Sequence, residues 1–301
     1  MGWKAFVEGG AASIVAGSMT HPLDLIKVRM QLPIAAGDSP VAAAAAARTG
    51  PLSVGIRVLQ KEGAKALFSG VSAAILRQGL YSTTRLGLYD AIKEAWREKR
   101  LDPSNADLDL AVHKKFAAGL IAGGIGAAVG NPADVALVRM QGDGRLPVWQ
   151  RRRYLGVGDA LARIARQEGV GSLWTGSGPT IQRAMIVTAA QLTTYDQSKE
   201  FLAGRGICRE GLATHVGASL VAGFVASVAS NPVDVIKTRM MSVGAGDARY
   251  SGSLDCAIKT VRGEGAMALY RGFLPTLTRQ APFSVVLFVT LEQIKAILKD
   301  F

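Results

Sequence analysis

Cysteine and histidine are scarce in this sequence, which limits the kinds of site that it can build. The 301 residues include two cysteines, Cys208 and Cys256, and three histidines. The cysteines show neither a metal-type spacing nor a disulfide framework, and the histidines are scattered with no HExxH or similar pairing. The sequence also contains no nucleophile–base pair and no glycine-rich phosphate loop. We therefore expect no catalytic site, no metal site and no bound cofactor.

Aromatic residues are also few, at 6% of the chain, although the chain is strongly basic. A net charge of +12 and a pI near 10.0 are compatible with nucleic acid, an anionic membrane surface or small anionic substrates as partners. Nucleic-acid binding usually requires clustered basic residues interleaved with aromatic ones. Here the basic residues are dispersed, and the dense run at 151–153 is interpreted as a solvated loop. We expect no nucleic-acid partner.

Long hydrophobic runs are absent as well, because no window holds about 20 uninterrupted apolar residues, the length that spans a bilayer. Even so, 49% of the residues are hydrophobic and 19% are charged, with a mean hydropathy of +0.22. Membrane helices that each turn one polar face to a water-filled cavity would account for both values. A soluble helical protein is the alternative from composition alone. The N-terminus, MGWKAFVEGGAAS, is typical of neither a signal peptide nor a transit peptide, so we expect no cleaved presequence.

Self-similarity is the main feature of the chain, because three sequence blocks occur in the same order three times. The first block reads HPLDLIKVRMQ from 21, NPADVALVRMQ from 131 and NPVDVIKTRMM from 231. The second reads EGAKALFSG from 62, EGVGSLWTG from 168 and EGAMALYRG from 264. The third reads YDAIK from 89, YDQSK from 195 and LEQIK from 291. The blocks divide the chain into three repeats, at residues 1–105, 106–208 and 209–301.

Each repeat is predicted to fold as a helix, a loop with a short helix, and a second helix. The first helices carry small residues at every fourth position, a spacing that allows close helix packing in membranes: Gly9, Ser13 and Gly17; Gly119, Gly123 and Ala127; and Ser219, Gly223 and Ser227. Pro22, Pro132 and Pro232 are predicted to kink or break these helices. The low-complexity stretch 33–50 is interpreted as a loop insertion.

The repeated pattern Pro-x-Asp-x-x-Lys-x-Arg, followed by Glu-Gly-x-x-x-x-aromatic-x-Gly, resembles the signature of the mitochondrial carrier family across the whole chain. NPADVALVRMQGDGRLP, RAMIVTAAQL and SNPVDVIKTRMM are similar to segments of the dicarboxylate carriers, a group catalogued beside the uncoupling proteins. The resemblance implies an all-α membrane protein with six transmembrane helices in a threefold pseudo-symmetric, barrel-like bundle with short matrix helices. It also implies a monomeric, multi-pass protein of the mitochondrial inner membrane that contacts cardiolipin near Gly70, Gly176 and Gly272.

Charged residues three positions apart, such as Asp24 and Lys27, lie on roughly one face of a helix. Taken alone they would be local surface pairs, but their recurrence in three repeats favours gates in which each acid meets the base of another repeat. The predicted pairs are Asp134 with Lys237 and Asp234 with Lys27, while Leu137 in the third basic position leaves Asp24 without a partner. The resemblance implies that the matrix gate comprises these charged residues, braced by two glutamines: Asp24, Lys27, Asp134, Asp234, Lys237, Gln31 and Gln141.

A second set of charges recurs near the ends of the second helices, and the resemblance to the carrier family implies that it forms the cytosolic gate. An ion pair is worth about 1 kcal/mol in water and about 4 kcal/mol at an effective dielectric of 20, which suits a gate that breaks in every cycle. The expected pairs are Asp90 with Lys199, Asp196 with Lys295, and Glu292 with Lys93.

Thirteen residues before each cytosolic acid stands an arginine: Arg77, Arg183 and Arg279. Thirteen residues span about 20 Å of helix, so we expect a substrate site near the middle of the membrane. Arginine suits a dianion because its planar fork binds carboxylate or phosphate oxygens in pairs. Snorkelling of these arginines to the matrix interface is the alternative. Arg85 and Gln191, eight residues further on, lie opposite Leu287 in the third repeat and would make the site asymmetric.

The resemblance and the arginines together favour exchange of small dicarboxylates (malate, succinate and oxaloacetate), with phosphate or sulfate as further substrates, by alternating access. A proton-leak uncoupling protein, using the same arginines as an anion or nucleotide site, is the alternative function. A soluble interaction scaffold is a third, weaker interpretation. The sequence ranks neither the individual dicarboxylates nor the counter-substrate.

Overall fold

The computed structural model describes residues 3–32, 50–98, 112–146, 148–204, 212–243 and 250–299. These ranges are helical and contain no strand, so the predicted all-α fold is confirmed for them. The α-helices run in the order α1 (Trp3–Met19), α2 (His21–Gln31), α3 (Pro51–Glu62), α4 (Val71–Glu98), α5 (Val112–Gly142), α6 (Val157–Glu168), α7 (Ser177–Gly204), α8 (Leu212–Ser242), α9 (Ser253–Glu264) and α10 (Phe273–Lys299).

The Glu-Gly block of each repeat ends a short helix, forms a 3₁₀ turn and leads into a long helix. The turns are Ala64–Phe68, Val170–Trp174 and Ala266–Tyr270. One glycine ends the short helix and a second precedes the long helix, and both need the left-handed backbone that glycine adopts without a Cβ penalty. Their φ angles lie between 78° and 90°: Gly63, Gly70, Gly169, Gly176, Gly265 and Gly272.

The residue before each repeated proline (Pro22, Pro132 and Pro232) joins the first helix to the 3₁₀ turn region of its own repeat. Asn131 Nδ2 donates to Leu173 O at 2.9 Å, and Asn231 Nδ2 donates to Leu269 O at 2.9 Å. In the first repeat a histidine takes this place, with His21 Nε2 2.9 Å from the carbonyl oxygen of Ser69. The chain there is divided between α1 and α2, whereas α5 and α8 continue through their prolines.

The long helices contact one another both within and between repeats. Within repeats, α1 packs on α4, α5 on α7 and α8 on α10. Between repeats, α4 packs on α5, α7 on α8 and α10 on α1. In the described part of the chain, one helical stretch, Ala117–Arg145, is both long and apolar enough to cross a membrane by length and composition.

Close packing of α4 on α5 depends on glycines other than the predicted ones. A Cβ on Gly126 would lie 3.3 Å from Arg85 Cβ, and a Cβ on Gly130 would lie 3.7 Å from Tyr81 Cβ.

The predicted packing role is wrong for Gly17, Gly119, Gly123 and Gly223, because nothing lies within 4 Å of a Cβ at these positions. The first three line internal cavities instead, together with Ser13 and Ala127. Their small size therefore keeps space open. The burial of the predicted positions Gly9 and Ser219 is outside what the structure describes.

Candidate functional site

Two buried ion pairs join the first helices of different repeats. Lys237 Nζ lies 2.7 Å from Asp134 Oδ2, and Lys27 Nζ lies 2.8 Å from Asp234 Oδ2. The first pair links α8 to α5, and the second links α2 to α8. Both aspartate side chains are less than 10% exposed, so breaking either pair would leave a buried charge uncompensated. These are the two pairs that the repeated motif predicts.

The three repeated arginines each pair with one of the motif aspartates. Arg77 Nη1 lies 3.4 Å from Asp134 Oδ1, and Arg183 Nε pairs with Asp234. Asp134 and Asp234 thus each bridge one arginine and one lysine. In every case an arginine on the second long helix of one repeat pairs with the aspartate on the first helix of the following repeat, and repeat 3 is followed by repeat 1.

Asp24 has a partner, which corrects the sequence prediction. Arg279 Nη1 lies 2.6 Å from Asp24 Oδ1. The prediction considered lysines of the same motif and overlooked that a long arginine side chain on α10 reaches the carboxylate. Leu137, which stands where the other repeats have lysine, packs with Met140 and Ala136 in an apolar cluster. All three aspartates of the network therefore pair with an arginine, but among the described residues only Asp134 and Asp234 also pair with a lysine.

The charged network lines two adjoining cavities. The larger, of about 250 Å³, is lined by Arg77, Arg85, Arg183, Asp134 and Lys237, among others. The smaller, of about 120 Å³, is lined by Asp24, Arg77, Leu137 and Arg279, among others. Arg77 borders both, so the arginines predicted to bind substrate are gathered in one region. No cluster of His, Cys, Asp and Glu suited to a metal occurs among the described residues.

Aromatic rings one helical turn from the arginines were not predicted as part of this region. Tyr81, four residues after Arg77, lines the larger cavity, and its ring centroid lies 5.9 Å from Arg85 Cζ. Phe283, four residues after Arg279, lines the smaller cavity, with its centroid 5.4 Å from Arg279 Cζ. Both distances allow cation–π attraction. The spacing of four residues was the available indication in the sequence.

A second network, which sequence reasoning also missed, joins the two repeated blocks within each repeat. Arg29 holds Glu62 at 2.5 and 2.8 Å. Arg139 and Arg239 hold Glu168 and Glu264 in the same two-pronged way, at 2.6 to 2.9 Å. The indication was present, since this arginine and this glutamate occur in all three repeats. Each arginine also donates its Nε, at 3.1 Å, to a backbone oxygen of another repeat: Gln141, Met241 and Gln31, respectively.

Two of these glutamates, Glu62 and Glu264, have pKa values below the ordinary value of a glutamate. Burial raises the pKa of Glu62, but the hydrogen bonds and the charge of Arg29 outweigh burial and hold that pKa below its ordinary value. The pKa of Glu264 is lowered in the same way, against burial, by Arg239 with help from Arg271. These arginine–glutamate pairs, called the fasteners below, therefore hold each short helix to the first helix of its repeat at neutral pH.

The glutamines predicted to brace the matrix gate make different contacts. Gln31 Oε1 accepts a hydrogen bond from Thr238 Oγ1 at 2.9 Å, and Gln141 Nε2 lies 3.5 Å from His21 Nε2. Neither contact is with an aspartate–lysine pair, because each amide reaches a side chain beside the pair instead. Positions 31, 141 and 241 share a packing role, since their side chains lie within 3.5 Å of a Cβ built on a glycine of the Glu-Gly block: Gly272, Gly70 and Gly176, respectively.

Most residues of the predicted cytosolic gate have side chains that the structure does not describe. Glu292 is described and exposed. The side chains of the other members, and that of Gln191 in the substrate prediction, are not in the described set: Asp90, Lys93, Asp196, Lys199 and Lys295. These assignments stay predictions.

Known proteins are similar to this chain in all three of its repeats. A family model described as "Mitochondrial carrier protein" matches residues 2–100, 109–206 and 209–301. Mitochondrial uncoupling protein 4 of Arabidopsis thaliana is 59% identical over 321 residues, with 100% of both chains covered. The mitochondrial 2-oxoglutarate/malate carrier protein of Caenorhabditis elegans is 43% identical, covering 97% of this chain and 91% of that protein. The protein of the same name from Bos taurus is 41% identical, covering 98% and 90%.

Proposed function

Because the chain belongs to the mitochondrial carrier family, we propose that it exchanges small dicarboxylates across the mitochondrial inner membrane by alternating access. Membership places it among transporters rather than enzymes. Malate, succinate and oxaloacetate are the proposed substrates, with phosphate and sulfate as smaller dianions of the same charge class. The relatives that are 41–43% identical are 2-oxoglutarate/malate carriers by name, which supports a dicarboxylate as the substrate.

For the membrane part, we propose six spans in a threefold bundle. The spans are α1 with α2, then α4, α5, α7, α8 and α10. The alternating contacts within and between repeats support this order around a central cavity. Outward apolar residues at spacings of four support lipid-facing surfaces, with Ile121, Ile125 and Val129 exposed on α5, and Val285 and Val289 exposed on α10.

The observation that carries the proposal is the charge of the ion-pair network beside the cavities. Five cations and three carboxylates are joined there, which leaves two positive charges. A dicarboxylate brings the two negative charges that neutralise them, and Arg85 adds a further cation on the wall of the larger cavity. In a closing cavity an uncompensated charge is costly, so a dianion favours closure around itself. The network comprises Arg77, Arg183, Arg279, Lys27, Lys237, Asp24, Asp134 and Asp234.

The arginines already bind carboxylates of the chain, which is the chemistry that a dicarboxylate offers. A substrate carboxylate can replace Asp134 at Arg77 while Lys237 still holds that aspartate. At Arg279 the exchange differs, because Leu137 supplies no second cation to Asp24. A dicarboxylate would therefore engage Arg77 and Arg183 at lower cost and leave Arg279 with Asp24. This inequality selects which two of the three arginines hold the two carboxylates.

A proton-leak uncoupling protein is the second candidate, and the names of relatives favour it. Three uncoupling proteins of Arabidopsis thaliana are 51–59% identical to this chain. The same arginines would then form an anion or nucleotide site. The two functions differ in what crosses the membrane, so flux measurements separate them.

Lipid contacts and oligomeric state are proposed from the family resemblance. Cardiolipin is proposed near Gly70, Gly176 and Gly272, which stand at the starts of α4, α7 and α10. Helix N-termini attract phosphate through their free N–H groups and dipoles. The carrier is proposed to work as a monomer, since its three repeats supply the whole site.

Purified protein in liposomes tests the proposal. Labelled malate inside the liposomes should leave when external malate, succinate or oxaloacetate is added. External monocarboxylates of similar size should release little, because they neutralise one charge rather than two. Release that is equal for monocarboxylates and dicarboxylates would contradict the proposed substrate class. Proton conductance measured in the same liposomes distinguishes the uncoupling alternative.

A further inference from the structure

The matrix side of the boundary between repeats 1 and 2 lacks the aspartate–lysine pair found at the other two boundaries. Asp134 with Lys237 joins repeats 2 and 3, and Asp234 with Lys27 joins repeats 3 and 1. At the remaining boundary Leu137 faces the position where a lysine would meet Asp24. If this gate closes with similar strength on all sides, another contact must join these two repeats.

Such a contact is provided by the loop that follows α5. Arg145 Nη1 of repeat 2 donates to two backbone oxygens at the end of α2 in repeat 1, Arg29 O at 2.7 Å and Leu32 O at 3.1 Å. The last carbonyls of a helix have no partner within the helix and carry the negative end of its dipole. A guanidinium placed there therefore gains both hydrogen bonds and charge attraction.

The same loop is held in shape by bonds within itself. The Asp143 carboxylate accepts the backbone N–H groups of Arg152 and Arg153 at 2.7 and 2.9 Å. Arg151 donates to the carbonyl oxygens of Leu146 and Gly144, both at 3.1 Å. The run of three arginines is thus part of an ordered loop, and the loop presents Arg145 to α2 in a fixed position.

Glycine at 144 lets this loop approach repeat 1 closely. A Cβ on Gly144 would lie 2.7 Å from Glu62 Cδ, closer than real Cβ atoms come to another atom, and would also overlap the Arg29 guanidinium. The loop therefore sits directly on the arginine–glutamate fastener of repeat 1. A side chain at 144 would lift Arg145 away from α2.

We propose that Arg145 is a positioning residue of the matrix gate, and that its loop (residues 142–146 and 148–156, the latch loop) replaces the ion pair that Leu137 removes. The proposal rests on the alternating-access function proposed above. The latch loop stabilises the state closed toward the matrix and detaches from α2 when repeats 1 and 2 separate. Because its bonds go to uncharged backbone carbonyls, detachment leaves no carboxylate without a cation.

Arg145→Gln tests this through the apparent KM for malate on each face, in liposomes of determined orientation. Weakening one gate shifts the population toward the matrix-open state. The variant should lower the matrix-side KM and raise the cytosolic-side KM, with their ratio changing about tenfold or more, as expected when a charged donor to two carbonyl oxygens is lost. Gly144→Ala should give the same split. Arg152→Gln removes the same charge from the same loop but keeps the backbone bond to Asp143, and should leave both KM values at wild-type levels.

Rescue by Leu137→Lys is the discriminating result, because it restores the kind of contact that the latch loop replaces. The double variant with Arg145→Gln should recover the wild-type KM ratio, whereas a merely structural loss in the loop would not be repaired from position 137. Unchanged KM values in Arg145→Gln, or a split that Leu137→Lys does not reverse, would overturn the proposal. If wild-type protein exchanges no dicarboxylate, the proposed function fails. The latch loop is then tested by thermal unfolding in detergent of wild type, Arg145→Gln, Leu137→Lys and the double variant. If the change in unfolding temperature of the double variant equals the sum of the two single changes, the proposal is refuted.

Discussion

Arg279 Nη1 lies 2.6 Å from Asp24 Oδ1, so an arginine predicted to bind substrate neutralises a carboxylate predicted to close the gate. The same relationship joins Arg77 to Asp134 and Arg183 to Asp234. The residues predicted for the substrate site and those predicted for the matrix gate therefore form one connected network. Whatever takes an arginine from its aspartate also changes the strength of the gate, which is the physical coupling that alternating access requires.

Removing an arginine should affect transport and folding to different degrees in the three repeats. Arg77→Ala and Arg183→Ala each leave an aspartate that a lysine still pairs, so exchange should fall about tenfold or more with little loss of stability. Arg279→Ala leaves Asp24 without a cation and should also lower the unfolding temperature. Arg279→Ala combined with Asp24→Ala keeps two net positive charges in the network, together with Arg77 and Arg183, and should restore both stability and exchange. Near-normal exchange in all three single variants, at equal protein content, would contradict the assigned site.

Lysine at position 137 should complete the threefold symmetry of the gate. Leu137→Lys places a cation where Lys237 and Lys27 meet their aspartates, and Asp24 would then bridge an arginine and a lysine as Asp134 does. The state closed toward the matrix should become more stable, which thermal unfolding with a state-locking inhibitor measures. Leu137→Met, of similar size and uncharged, is the matched control. Identical unfolding curves for wild type and Leu137→Lys in either state would count against the pairing scheme.

The arginine–glutamate fasteners should give a stability difference that depends on pH. The pKa of Glu264 is below its ordinary value of 4.5, despite burial, because Arg239 favours the ionised form. Its contribution to stability is therefore present above about pH 4.5 and is lost as the pH falls toward the folded-state pKa. Glu264→Gln should unfold at a lower temperature than wild type at pH 7, and the gap should narrow below pH 4.5. Exposed Glu94 changed to Gln serves as the control, and a gap that widens on acidification would refute the assignment.

Substitution of Gly272 by alanine should destabilise the protein more than the same substitution at Gly171. Gly272 has φ +83°, and a Cβ there would lie 3.0 Å from Gln31 Cγ. Gly272→Ala should cost more than about 1 kcal/mol, because a positive φ strains alanine. Gly171→Ala is the matched control, since nothing lies within 4 Å of a Cβ at that position. Equal unfolding temperatures for the two variants would show that the turn does not need glycine.

The repeated motifs predicted the helical fold and two gate pairs because threefold repetition converts spacing along the chain into contacts between repeats. The pairs Asp134 with Lys237 and Asp234 with Lys27 both follow from the rule that the acid of one repeat meets the base of the next. The pair of Arg279 with Asp24 did not follow, since it depends on the reach of a side chain from another helix. The small-residue spacing of Gly119 and Gly123 misled for a similar reason. Periodicity tells which residues share a face, but not whether a helix or a cavity lies opposite.

The central claim is that a bound dianion must accompany each conformational change, and one flux comparison tests it most directly. Two positive charges in the network are costly in a closing cavity unless a ligand neutralises them, so the empty carrier should rarely change state. Liposomes loaded with unlabelled malate should therefore take up labelled malate rapidly, while liposomes with no internal anion should take up little. Uptake at equal rates into loaded and empty liposomes, or a proton flux far above the exchange rate, would contradict the account and favour the uncoupling alternative.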